Sequence, residues 1–146
     1  MLTIAPVTGA GPLTQAMATA ASGMSTQAVR MRVAAENMTN ATSTAATPGG
    51  DPYQRRIMSF SQRVDRATGA KTVQVGPITR DARPFRTEYD PAHPAADERG
   101  YVKLPNVSPL IEQADLRNAQ LSYEAAIAVM QQARSLYSKT LDILKG

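Results

Sequence analysis

The sequence contains no cysteine and no tryptophan, and its aromatic residues come to only 5%. Without thiols there is no disulfide, no thiolate nucleophile and no cysteine-ligated metal centre. So few aromatics argue against a large aromatic-rich core. There is one histidine, His93, and no G-x-S-x-G elbow that would place an activated serine beside it. Gly49-Gly50 is not followed by lysine, so no phosphate-binding loop is present. A metal site can be drawn from Asp90, His93, Asp97 and Glu98, but the spacing fits no defined ligand pattern and prolines punctuate the loop. The alternative is a loop histidine hydrogen-bonded locally. No enzyme, cofactor or metal site is therefore expected. No run of eighteen apolar residues occurs, so no transmembrane helix is expected. The first fifteen residues lack both a basic residue and a continuous apolar stretch, so a cleavable secretory signal is not expected, and the first eleven read as a flexible lead-in.

Hydrophobic residues at 42% and charged residues at 19% are ordinary for a folded chain, and 146 residues allow one domain or two small ones. The net charge is +4 with basic residues scattered among acids. Arg55 and Arg56 beside Tyr53 come nearest to a phosphate-binding patch. They read as a solvated face, and no nucleic-acid partner is expected.

What the chain does have is periodicity at its two ends. Met17, Met24, Met31 and Met38 recur every seven residues, with Ala20, Gln27 and Ala34 halfway between. Steps of three and four keep these on one face of a helix over 13–38, and a sustained seven-residue repeat is a coiled-coil seam. Pro12 suits the first turn, with Gly11 as N-cap. The helix should end near Asn40, where Asn and Thr side chains compete for the backbone. Gly23 costs about 1 kcal/mol relative to alanine there and marks a close approach by a neighbour.

A second helix is predicted over 110–144, which contains neither proline nor glycine. Leu116, Ala119, Tyr123, Ala126, Met130, Ala133, Tyr137, Thr140 and Leu144 follow the same alternation. Ser108 and Pro109 read as N-cap and first residue, and Glu112 and Asp115 lie early, as the helix dipole prefers. Val129, Leu136 and Ile143 make a second stripe, so the apolar face is wider than one partner needs. Either the two helices close on a small core, or apolar surface is left over for other subunits.

Between the helices the period changes. Residues 53–64 should be extended, 65–70 a hairpin turn and 71–75 a half-buried strand stopped by Gly76-Pro77. Residues 78–89 should be extended with Pro84 confining them to an edge, 90–100 a loop, and 101–104 a short strand. The fold class is α+β: long N- and C-terminal α-helices pairing as a coiled coil, with a small β-rich insert. The divisions are 1–45, 46–108 and 109–146.

This arrangement resembles the bacterial flagellar axial proteins, the family of rod, hook and filament-junction subunits. Ala34-Ala35-Glu36-Asn37-Met38-Thr39-Asn40-Ala41 resembles the signature that ends the family's first helix, with Met38-Thr39 where leucine-alanine is commoner. The stretch Tyr89-Asp90-Pro91-Ala92-His93-Pro94-Ala95-Ala96-Asp97-Glu98-Arg99-Gly100-Tyr101-Val102-Lys103-Leu104-Pro105-Asn106-Val107 resembles one typical of a short proximal rod member. The resemblance implies a structural subunit of the basal-body rod, the shaft that transmits torque and surrounds the export channel. It implies a periplasmic location reached through the flagellar type III export apparatus without a cleaved signal. Its partners would be copies of itself, the rod proteins FlgB, FlgF and FlgG, the rod-to-ring adaptor FliE and the MS ring, with no membrane insertion. Assembly would then rest on Met17, Met24, Met31, Met38, Asn37, Asn40, Tyr123, Met130, Tyr137 and Leu144. Tyr89 and Tyr101 should pack near each other and carry a loop contact to an adjacent subunit. Another small rod subunit, or a basic nucleic-acid-binding module, is the alternative.

Overall fold

The computed structural model describes residues 11–146. The expected lead-in, apart from Gly11, lies outside the described residues, as do the first ten residues of the stretch expected to lack a secretory signal. The element order is α1 (Pro12–Thr39), β1 (Arg56–Val64), β2 (Lys71–Arg80), β3 (Arg86–Tyr89), β4 (Tyr101–Leu104) and α2 (Pro109–Lys145). The α+β class expected from the sequence is what forms. No helix of the structure is long and apolar enough to cross a membrane among the described residues.

Both helices begin at a proline in the first turn, where its missing N–H costs nothing. Gly11 and Ser108 stand at the N-caps, but neither makes a side-chain capping bond. At the other end of α1, Asn40 donates from Nδ2 to the Glu36 carbonyl at 2.9 Å, closing the last turn.

The helices pack antiparallel: Asn37 meets Glu112, Arg30 meets Asp115 and Gly23 lies against Ala126. Those contacts place the α1 seam on 20, 23, 27, 30, 34 and 37. This corrects the expected frame. Ala20, Gln27 and Ala34 belong to both, but Met24, Met31 and Met38 stand one residue off the seam, where Gly23, Arg30 and Asn37 sit. Burial separates the two frames at the C-terminal end, where Asn37 is buried and Met38 half-buried, while Gly23, Gln27 and Arg30 are half-buried like Met17, Met24 and Met31. On α2 the small residues Ala119 and Ala133 are the buried counterparts, with Ala126 between them. The close neighbour at Gly23 is thus Ala126, and a Cβ there would sit 4.0 Å from the Ala126 Cβ, an ordinary contact. Mid-seam, Gln27 Oε1 is covered and has no hydrogen-bond partner among the described residues, which costs about 1–3 kcal/mol.

β1 and β2 form an antiparallel hairpin with a bulge between Met58 and Phe60. The strand expected to stop at Gly76-Pro77 runs on to Arg80, because the bulge sets two β2 residues opposite Ser59 and lets the proline avoid the ladder. A Cβ at Gly76 would push the Ser59 hydroxyl aside and sit tight, at 3.3 Å, against the Ser59 carbonyl oxygen, so the bulge favours glycine there. The long extended stretch expected over 78–89 breaks at 81–85, giving β3 to a second, separate sheet with β4. An uncovered strand edge is a liability. The β2 edge is covered by hydroxyls of α1: Thr19 Oγ1 donates to the Lys71 carbonyl, Thr26 Oγ1 donates to the Val73 carbonyl, and Ser22 Oγ accepts from the Val73 N–H.

Candidate functional site

The Asn37 carboxamide is 1% exposed and is heavily engaged. Its Nδ2 donates to the Arg56 carbonyl at 2.9 Å and to Glu112 Oε2 at 3.0 Å. Its Oδ1 accepts from the Arg56 N–H at 2.9 Å and from the Tyr53 hydroxyl at 2.8 Å. All four hydrogen-bonding sites of the amide are filled. One side chain on α1 therefore fixes the entry to β1 and the first turn of α2. Asn37 was expected at an interface between subunits, but it spends its whole capacity inside its own chain. The desolvated site also raises the Tyr53 hydroxyl pKa, burial being the chief cause, and the Glu36 and Glu112 charges add to it.

Glu112, also 1% exposed, accepts from Arg55 Nε on its other oxygen. Arg55 goes on to Asp81 Oδ2 at 3.5 Å and Asp115 Oδ2 at 3.7 Å, and Asp115 accepts from Arg30 at 3.0 Å. Asp81 is held by Arg83 Nε at 2.8 Å and by the Arg83 N–H at 3.0 Å. Three arginines thus face three carboxylates. This corrects the reading of Arg55 as part of a solvated face, since its side chain is mostly covered and fully paired. Sequence reasoning missed this lock, because Glu112 and Asp115 read equally well as ordinary first-turn acids.

The bonds from the Arg83 side chain, then from its backbone N–H, lower the Asp81 carboxyl pKa from 3.8 to about 2. A depressed carboxyl adds stability that is complete above the ordinary value and is lost as pH falls through the depressed one. A shift of that size corresponds to about 2 kcal/mol. The expected result is acid destabilisation between about pH 4 and pH 2, reduced in Asp81→Asn, read from chemical denaturation midpoints across that window.

The 90–100 loop is held by its own backbone. Asp97 Oδ1 accepts from the Arg99 and Tyr101 N–H groups at 2.9 Å each, and the Tyr101 bond is the main cause of its lowered pKa. Asp90 Oδ1 accepts from the Ala92 N–H and His93 Nδ1 accepts from the Ala95 N–H. Gly100 has φ +84°, and a Cβ there would sit 2.9 Å from Tyr89 Cε2, so glycine is required on both counts. Among the described residues no three His, Asp or Glu side chains converge as metal ligands. Tyr89 and Tyr101, opposite each other on β3 and β4, meet edge to face with ring centres 5.2 Å apart. They remain 64% and 46% exposed.

Of the other residues expected at an interface, Asn40, Tyr123 and Met130 are half-buried, and Tyr137 and Leu144 are exposed. The second stripe of α2 is open: Val129 is 50%, Leu136 43% and Ile143 80% exposed. Seven-residue spacing lines these three along one side of the helix.

Residues 98–143 match the family described as flagellar basal body rod FlgEFG protein C-terminal. A flagellar basal-body rod protein FlgC of Agrobacterium fabrum is 46% identical over 135 residues, covering 92% of this chain and 97% of that one. FlgC proteins of Escherichia coli O6:H1 and Bacillus subtilis are 36% and 35% identical, covering 85% and 86% of this chain and 92% and 93% of theirs. The polar lock within the chain, the open stripe on α2 and relatives matched along nearly their whole length agree: the chain belongs to the FlgC family of structural flagellar basal-body rod proteins.

Proposed function

We propose that the chain polymerises through its terminal helices into the tubular rod, which transmits torque and surrounds the export channel. The observation that carries this reading is the open α2 stripe at Val129, Leu136 and Ile143. Long exposed apolar stripes are costly in water and mark surfaces that other chains cover. Residues 1–45 and 109–146 form the core layer, pairing as a coiled coil. Residues 46–108 lie outside it. Met17, Met24, Met31 and Met38 flank the seam and adapt to neighbours, as flexible thioethers do. Tyr123, Met130, Tyr137 and Leu144 serve the same assembly. Asn40 helps indirectly, by closing the helix end. Neighbours are copies of this chain and other rod proteins such as FlgB, FlgF and FlgG, with FliE and the MS ring below. Export runs through the flagellar type III apparatus, without a cleaved signal, into the periplasm. The chain acts as a structural part and not as an enzyme.

The test is complementation of a strain lacking its own copy, followed by recovery of the chain in purified basal bodies. Restored swimming with the chain in the rod is expected, and a chain absent from the basal body overturns the reading. His93→Ala in the same strain is expected to leave swimming intact, since the imidazole accepts one backbone N–H bond and the residue's own backbone bonds survive the substitution. Tyr101→Ala removes a half-exposed ring contact worth about 1 kcal/mol and should slow assembly more. Loss of motility in His93→Ala, with normal motility in Tyr101→Ala, reverses that view of the loop.

A further inference from the structure

The net charge of +4 is not spread over the molecule. Residues 56–80, the β1–β2 hairpin, hold five basic residues and one acid, so the hairpin carries the whole net charge and the remainder is neutral. Arg56 is paired with Glu36. Arg63, Arg66, Lys71 and Arg80 are exposed and make no ion pair among the described residues. The hairpin is bonded to α1 through hydroxyls and the Arg56–Glu36 pair, and the side-chain charges of Arg63, Arg66, Lys71 and Arg80 take no part in that contact among the described residues.

The opposite composition occurs once. Residues 88–98 hold Glu88, Asp90, Asp97 and Glu98 and no lysine or arginine, and with the bordering Arg86 and Arg99 counted, 86–99 still carries a net charge of −2. All four are exposed and none is ion-paired among the described residues. The open Tyr89 and Tyr101 rings stand at the same sheet end. Carboxylates beside an exposed aromatic face suit a guanidinium, through charge-assisted bonds from the acids and cation–π contact with the ring. Within one chain the two surfaces form no ion pair among the described residues. Two hairpins facing each other would set like charges together.

We infer that the β1–β2 hairpin of one copy docks head-to-tail on the 88–98 turn of the next, with Arg63 and Arg66 meeting Glu88, Glu98 and the tyrosine faces. A head-to-tail contact leaves each added copy a free hairpin or turn for the next, so it propagates into a ring where the rotation closes and a filament where it does not. The inference rests on the reading of the chain as a polymerising subunit and names one contact in that polymer.

The test is sedimentation velocity on the purified full chain and two charge-reversed variants, Arg63→Glu with Arg66→Glu, and Glu88→Arg with Glu98→Arg. All four positions are exposed and outside the Asn37 lock, and far-UV circular dichroism confirms that each variant is folded. The wild-type chain should self-associate at about 0.1 mM in low salt, and about 0.5 M salt should weaken this roughly tenfold. Each variant alone should be monomeric. Their mixture should associate again, because every hairpin then finds a turn of opposite charge. A mixture that stays monomeric, a monomeric wild-type chain, or variants that associate as well as wild type each overturn the contact. If the contact fails while the chain is still recovered in basal bodies, the rod reading stands. If the chain is absent from basal bodies, that reading fails whatever the solution result.

Discussion

Asn37→Ala should remove a large share of the folding stability of the isolated chain. The substitution strips partners from the Tyr53 hydroxyl, both backbone groups of Arg56 and one oxygen of Glu112. Each buried polar group left unpaired costs about 1–3 kcal/mol, and an uncompensated buried charge costs more. Not all of these add, because some groups will find water. A loss of about 4 kcal/mol is still a large share of a typical 5–15 kcal/mol total. Asn37→Asp should be nearly as harmful, since it sets a second carboxylate against Glu112 and removes two donors. Denaturant midpoints in wild type and both variants measure this. Stabilities within about 1 kcal/mol of wild type would show that the lock is not what joins helix, strand and helix.

Val129→Asp combined with Leu136→Asp is expected to do the reverse: a normally folded chain that does not assemble. Both positions are open in the single chain, so stability should move by less than about 1 kcal/mol. In an assembled layer each aspartate would be an unpaired charge out of water, costing several kcal/mol and reducing association by about a thousandfold or more. Such a strain should export the protein and yet not swim. Normal swimming would mean that the stripe faces solvent in the rod.

The helix ends, the strand positions around the 65–70 turn and the loop at 90–100 were legible in the sequence, because proline, glycine and period each have a local physical cause. The seam frame was not. Methionine outranks glycine, arginine and asparagine in any count of apolar periodicity, yet Gly23, Arg30 and Asn37 occupy the seam. Arg30 and Asn37 can do so only because Asp115 and Glu112 meet them from about eighty residues away. A long-range polar pair leaves no periodic trace. The same reason hid Arg55, whose partners lie on α2 and after β2. The hydroxyls of Thr19, Ser22 and Thr26 read as polar surface until a strand edge is set against them. The strand through Gly76-Pro77 was missed because a bulge permits what a regular ladder forbids.

The absence of cysteine makes the central claim directly measurable. Single replacements Val129→Cys, Leu136→Cys and Ile143→Cys each place one thiol on the open stripe. Labelling rates with a water-soluble maleimide can be compared between the purified chain and intact basal bodies from swimming cells. If neighbouring subunits cover this stripe, the thiols react freely in the single chain and are protected in the rod. Equal labelling in both would contradict the account, because the stripe on which assembly is argued would then remain open to water in the finished rod.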